Sequence, residues 1–285
     1  MRQLSAFERK LVEDIKHNSL LFLERGVRML MEKNKASQKD RVVLSCTDIQ
    51  IALELAMREF LIREEGLNHV LDQKQRDKYS EEELIELYEG NNLKVTDFDA
   101  LKKSLRGMRE APFDREDFKV IERFQNYRNK IIHFSCALKG ESLDELEERL
   151  IYYVVQIVLR LLYDNYEDKG PAEYFEELLG YNFYQILWGN GGYREAIEKL
   201  AAERSTEVGN CPICGSDAYD MANEFCFFCN IHPEDEWGRT DCLACNGKKT
   251  VIYDLLNIHV KGNGHSMPGY CQKCGAKTFK TAWKV

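Results

Sequence analysis

Apolar residues recur every three or four positions from residue 1 to about 204, the spacing that lines one face of a helix. Phe7, Leu11 and Ile15 open such a stripe and predict a first helix running to about Met31. A second, preceded by Asp40, puts Ile49, Ala52, Leu53, Ala56, Phe60 and Leu61 on one face. Shorter helical pieces follow Ser80 and Thr96. Asp114 is placed to cap a helix that carries Phe118, Ile121, Phe124 and Ile131 to about His133. Ser142 and Glu145 have the spacing of a capping box, and Leu143 to about Tyr163 is strongly apolar behind them. Gly170-Pro171 interrupts that pattern. Short helices are expected over 172–180 and 193–203, with the aromatic and glycine-rich stretch Tyr181 to Tyr193 as the connection.

From Ser205 the texture changes. Prolines, glycines and short β-type runs such as Thr250-Val251-Ile252-Tyr253 and Lys277-Thr278-Phe279 replace the helical stripe. The expected fold is an all-α helical bundle over 1–204, followed by a small β- and loop-rich domain over 205–285 stapled by metal.

That staple is read from the cysteines. Eight of the ten fall in four Cys-x-x-Cys pairs: Cys211/Cys214, Cys226/Cys229, Cys242/Cys245 and Cys271/Cys274. Each pair is a turn that aims two thiolates at one point, and two pairs complete a tetrahedral site, so two zinc ions are expected. Four thiolates leave no open coordination position, which makes the metal structural and leaves His232, His259 and His265 unneeded as ligands. Sequential pairing closes the shortest loops, although nested or cross-braced pairings use the same ligands. Cys46 and Cys136 stand alone in helical context and read as small buried hydrophobes.

Composition narrows the setting. A hydrophobic fraction of 44% supports a real core, and 31% charged residues give a solvated surface. Arg2, Glu8, Arg9 and Lys10 interrupt the first apolar residues, unlike a secretory signal, and the run Ile151 to Tyr163 is too short to span a bilayer. A cytoplasmic protein with reduced, metal-binding cysteines is therefore expected, with no membrane partner. The net charge of −8 argues against a protein that coats polyanions by charge alone. Past Asp254, however, there is no acid, while Lys261, Lys273, Lys277, Lys280 and Lys284 follow. Those lysines either meet phosphate or offset thiolate charge.

The segment Tyr127-Arg128-Asn129-Lys130-Ile131-Ile132-His133 holds the candidate chemistry. Asn129 and His133 are four apart and share a helical face, and Arg128 lies about 100° round from Asn129. An imidazole titrates near neutrality, so His133 can take up or release a proton. A guanidinium can clamp phosphate oxygens through two hydrogen bonds. Arg63 and His69 offer a rival spacing, but Gly66 and Asn68 predict a helix end between them.

Arg128-Asn129-x-x-x-His133, the helix from Thr47-Asp48 and the long apolar helix after the motif resemble the HEPN superfamily over roughly residues 36–168. Its ribonucleases carry an Arg-x(4–6)-His motif, often with a polar residue after the Arg. The resemblance implies a metal-independent endoribonuclease with Arg128, His133, Asn129 and, second, Asp48 at the site. It also implies RNA as substrate, a homodimer through the motif helices, products with 2′,3′-cyclic phosphate and 5′-hydroxyl ends, and a toxin or antiviral role. Ser135 stands where a subgroup of HEPN toxins has a modified Tyr, so no modifying nucleotidyltransferase partner is expected. The second reading is an inactive HEPN-like scaffold whose zinc module is a nucleic-acid or protein adaptor.

Overall fold

The computed structural model describes residues 2–32, 37–108, 113–134, 141–162, 179–211, 214–229, 239–253, 259–261 and 264–283. The chain forms two compact units, Met1–Asn165 and Tyr166–Val285.

The first unit is helical: α1 (Ala6–Met31), α2 (Gln38–Glu65), α3 (Glu81–Glu89), α4 (Phe98–Gly107), α5 (Arg115–Phe134), α6 (Glu141–Glu145) and α7 (Ile151–Leu162). Its axis is α2, against which α1, α4, α5 and α7 all pack. Val42, Ile49, Leu53, Met57 and Leu61 are wholly buried along it, together with Cys46. Burial also pushes the Cys46 thiol well above its usual range, which suits an inert core residue. The starts of α1 to α5 are chemically marked. Ser5 with Glu8 and Ser80 with Glu83 form complete capping boxes. Asp97 caps α4, and Asp114 accepts from the Asp117 N–H at 2.8 Å. At α2 the cap is Ser37, whose hydroxyl accepts from the Asp40 N–H, so the helix starts ahead of Asp40. Gly66, at φ +103°, ends α2 as the sequence predicts, and Leu67–Val70 form a 3-10 turn beyond it.

Two expectations need correcting here. Ser142 lies inside α6 rather than ahead of a helix, and Leu146–Leu150 widen into a π turn before α7. That turn carries Glu147, whose carboxylate accepts from Gln38 Nε2 at 2.7 Å and Arg41 Nη2 at 2.9 Å on α2. The second correction is Tyr181 to Tyr193. It is no loop: α8 (Tyr181–Trp188) leads directly to α9 (Gly191–Arg204). Phe183 and Leu187 of α8 are buried, and this burial outweighs the glycines on either side. The expected helix over 172–180 and the position of Cys136 lie outside the described residues, Leu179 and Gly180 excepted.

In the second unit α8 and α9 stand with the cysteine-rich segment. The Phe228 ring meets Trp188 at 4.8 Å and Tyr193 at 5.2 Å between centroids, and Glu198 accepts from the Asp217 N–H at 3.1 Å. The textural change at 205 is therefore not where the contacts divide; that division falls at 165. Strands β1 (Val208–Gly209), β2 (Tyr219–Asp220) and β3 (Phe225–Cys226) make a three-stranded antiparallel sheet. Five more follow: β4 (Arg239–Thr240), β5 (Val251–Tyr253), β6 (His259–Lys261), β7 (Gly264–Cys271) and β8 (Lys277–Trp283). The long β7 pairs with β8 along its length and with β5 and β6 at its two ends, while β4 extends β5. The sheets meet where the Asn210 N–H donates to Gln272 O at 3.1 Å. Among the described residues no helix is long and apolar enough to cross a membrane.

Helices α1 and α2 approach closely at Gly26, where a Cβ would lie 2.7 Å from the buried Ile49 Cγ1. Gly26→Ala should cost about 1–3 kcal/mol by overpacking. Gly107→Ala, at the end of α4 with open space around it, should instead stabilise by up to ~1 kcal/mol. Urea unfolding midpoints that move in opposite directions would bear this out; equal shifts would not.

Candidate metal centres and candidate active site

The eight paired cysteines gather into two groups of four: Cys211, Cys214, Cys226 and Cys229, then Cys242, Cys245, Cys271 and Cys274. The pairing is sequential. Within each group the sulfurs lie within 4.8 Å of one another. Cys211 and Cys229 sulfurs are 3.7 Å apart and those of Cys214 and Cys226 3.6 Å. The second group repeats this, with 3.7 Å for Cys242 and Cys274 and 3.6 Å for Cys245 and Cys271. A disulfide needs about 2.05 Å. A tetrahedral ion bonded to sulfur at about 2.3 Å instead puts its ligands about 3.8 Å apart. The spacing fits a tetrathiolate cage, so each group can hold a metal ion.

Local backbone geometry explains the spacing. Gly215 and Gly275 each follow the second cysteine of a pair and each sit at φ +67°, a region costly for residues with a side chain. Their N–H groups donate back to Cys211 O and Cys271 O, closing each knuckle. After Cys245 the same left-handed position, φ +55°, is taken by Asn246. Asn tolerates it better than other non-glycine residues, and an Asn after the second cysteine is a signal that a search for Cys-x-x-Cys-Gly misses.

The two cages differ in cover. Cys211, Cys226 and Cys229 are buried and Cys214 partly so; in the second group Cys274 is exposed and Cys245 half-buried. In the first, burial pushes the Cys211 and Cys229 thiols up. Burial opposes ionisation of Cys214 too, yet hydrogen bonds from its three cysteine neighbours and Ser216 hold that thiol far below its usual range. At Cys271, burial is outweighed by the hydrogen bond shared with Thr250 and by the backbone N–H groups of Cys274 and Lys273 that donate to sulfur, bringing the thiol down to about 6. Donors aimed at sulfur in this way favour thiolate, the form that binds metal.

In the helical unit, α5 buries Phe118, Ile121 and Phe124. Arg128 falls four residues after Phe124 and seven after Ile121, so it continues that apolar face to its edge. Its side chain is half-buried, and its Nε is shielded, with no hydrogen-bond partner among the described residues. Its Nη1 donates to Asn129 Oδ1 at 3.0 Å. Tyr127 on the same turn donates to Glu145 Oε2 at 3.3 Å, where Arg123 also binds. The backbone of His133 continues α5 one turn beyond Asn129; its imidazole lies outside the described part of the structure, as does Ser135.

Asp48 lies elsewhere in the network. It is buried on α2, and Arg25 of α1 grips both its oxygens, Nε reaching Oδ2 at 2.6 Å and Nη2 reaching Oδ1. Among the described residues no hydrogen bond joins Asp48 to Arg128 or Asn129. Sequence reading missed Arg25, whose spacing to Asp48 only the pairing of α1 with α2 reveals. The rival Arg63 is buried, holding Leu161 O at 3.0 Å and pairing with Glu59 and Glu64, while His69 is exposed past the helix end. Comparison with models of protein families, with curated proteins and with solved structures finds no match.

The unequal cover predicts unequal metal release. A metallochromic chelator added to metal-loaded protein should show two phases, the faster from the Cys242 group. Cys274→Ser should remove the fast phase and Cys226→Ser the slow one. Release in a single phase that both variants alter alike would contradict the inequality.

Proposed function

We propose that the protein is a metal-independent endoribonuclease of HEPN type in which Arg128 and His133 cut RNA. The observation that carries this reading is the state of Arg128. A half-buried arginine at the edge of an apolar face, its Nε shielded and its Nη1 tied to Asn129 among the described residues, keeps Nη donors for an incoming phosphate. A surface salt-bridge arginine would have a carboxylate partner instead. His133, one turn along the same helix, is read as the group that exchanges a proton with the ribose.

In this reaction the ribose 2′-oxygen loses its proton to a base, attacks the adjacent phosphorus and closes a 2′,3′-cyclic phosphate. The P–O5′ bond breaks, and the leaving oxygen takes a proton to become a 5′-hydroxyl. Arg128 stabilises the charge that gathers on the phosphate oxygens, and Asn129 holds the guanidinium in place. Two copies of α5 facing across a two-fold axis would build a composite cleft, so the active form is read as a homodimer. Asp48 acts from a distance by fixing α2 against α1.

Zinc is the ion that best suits both cages, since four thiolates at tetrahedral spacing match its preferences and leave no site for water. Its role is structural. Toxicity to the producing cell, as a defence effector, is the expected biological consequence, in a cytoplasmic setting.

Wild-type protein should cleave RNA in brief excess chelator. Arg128→Ala should slow the reaction about 10²–10³-fold, and His133→Ala about 10²–10⁴-fold, with unfolding midpoints unchanged. Cleavage at wild-type rate by both variants would leave the scaffold reading in possession. Metal analysis should return about two zinc ions per chain; a value near zero in protein purified without chelator would defeat the zinc assignment.

A further inference from the structure

Charge is segregated along this chain. Residues 239–285 hold Arg239 and seven lysines against Asp241 and Asp254, eight cations less two acids, or +6 by formal count and +4 once four thiolates and one Zn²⁺ in the second cage add −2. The total is −8, so the remaining residues carry −14. No Asp or Glu occupies a strand position of the five-stranded sheet. A basic patch on an acidic protein is an electrostatic footprint for phosphate.

Register sorts the residues of that sheet into two faces, because paired positions share a face and neighbours alternate. One face carries Val251, Tyr253, Gly269 and Cys271. Val251, Tyr253 and Cys271 belong to the apolar cluster around the second cysteine cage. The opposite face takes the pairs Tyr270↔Lys277, Pro268↔Phe279 and Gly264↔Trp283 on β7 and β8. Lys261 joins it opposite Gly264, and His259 opposite Ser266. Three aromatic positions, Tyr270, Phe279 and Trp283, thus share the face away from the cage with Lys277, Lys261 and His259, while Lys280 falls on the cage face. Lys277 is exposed, and its Nζ lies 5.7 Å from the centroid of the half-buried Tyr270 ring. Ile252, beside Tyr270 on β5, is buried, so the proposed grip starts at Tyr270 and Lys277 and follows the β7–β8 register away from β5.

Aromatic positions between cations are how a sheet holds single-stranded nucleic acid: bases stack on the rings while the lysines follow the phosphates. A duplex hides its base faces and has no use for the rings. We propose that this face of the β6–β7–β8 sheet is the grip for single-stranded RNA. The choice of RNA rests on the nuclease reading; the single-stranded preference rests on the sheet.

The test uses the full-length zinc-loaded protein and a fluorescent 2′-O-methyl RNA of about 20 nucleotides, which cannot form the cyclic phosphate. Fluorescence anisotropy should show binding that weakens steeply with salt. Lys261→Glu with Lys277→Glu should weaken it more than tenfold and flatten the salt dependence. Tyr270→Leu should weaken it about tenfold or more at unchanged salt slope. Lys74→Glu, on the helical unit, should have no effect. All variants should keep wild-type zinc content. Unchanged binding in the sheet variants, or equal affinity for the matching duplex, overturns the proposal. Cleavage of the unmodified RNA by wild-type protein, followed in parallel, reports on the nuclease by itself, so either idea can fail without the other.

Discussion

Four sulfurs held 3.6–3.7 Å from their neighbours are the constraint on which the C-terminal unit depends. Thiolates at that distance repel unless a cation sits between them, and the strands that deliver them are only two or three residues long over much of the unit. So little sheet cannot hold itself together by ladder hydrogen bonds. A metal ion held in each cage would therefore contribute folding energy directly. Gly209, whose Cβ would meet Gln272 O at 2.2 Å, lets the first sheet lie against the second knuckle. The two cages thereby become parts of one body.

The helical unit is built on another principle. One helix, α2, is sheathed by its neighbours, and its buried charges are tied off by long side chains: Arg25 to Asp48, Arg41 to Glu147, and Arg63 to Glu59. Asp117 of α5 is similarly held by Arg160 of α7 at 2.8 Å. The Asp117–Arg160 pair ties α5 to α7, and α5 also packs on α2, which together set where Arg128 emerges. Each of those arginines faces a carboxylate, whereas Arg128 has Asn129 and no described carboxylate.

Much of this was legible in the sequence because the signals were local. The stripe from Phe7, the helix after Ser80, the stop at Gly66 and the Cys-x-x-Cys knuckles all depend on residues a few positions apart. What escaped depended on partners far along the chain. Helix α8 exists because Phe183 and Leu187 find a core and Trp188 finds Phe228, none of which its flanking glycines announce. The π turn at Leu146–Leu150 carries Glu147 to partners more than a hundred positions away. The β7–β8 hairpin was seen only as its fragment at 277–279, since Gly264, Pro268 and Gly269 give β7 a poor strand pattern. The tie between Asp48 and Arg25 needed the α1–α2 crossing before it could be read at all.

The nuclease assignment fixes a chemical fingerprint at the cut. Mass spectrometry of the fragments left after brief digestion of a defined RNA in excess chelator tests it most directly. Fragments ending in a 2′,3′-cyclic phosphate, each followed by a 5′-hydroxyl fragment, are the predicted result. Ends with 3′-hydroxyl and 5′-phosphate, or an intact RNA, would contradict the roles given to Arg128 and His133.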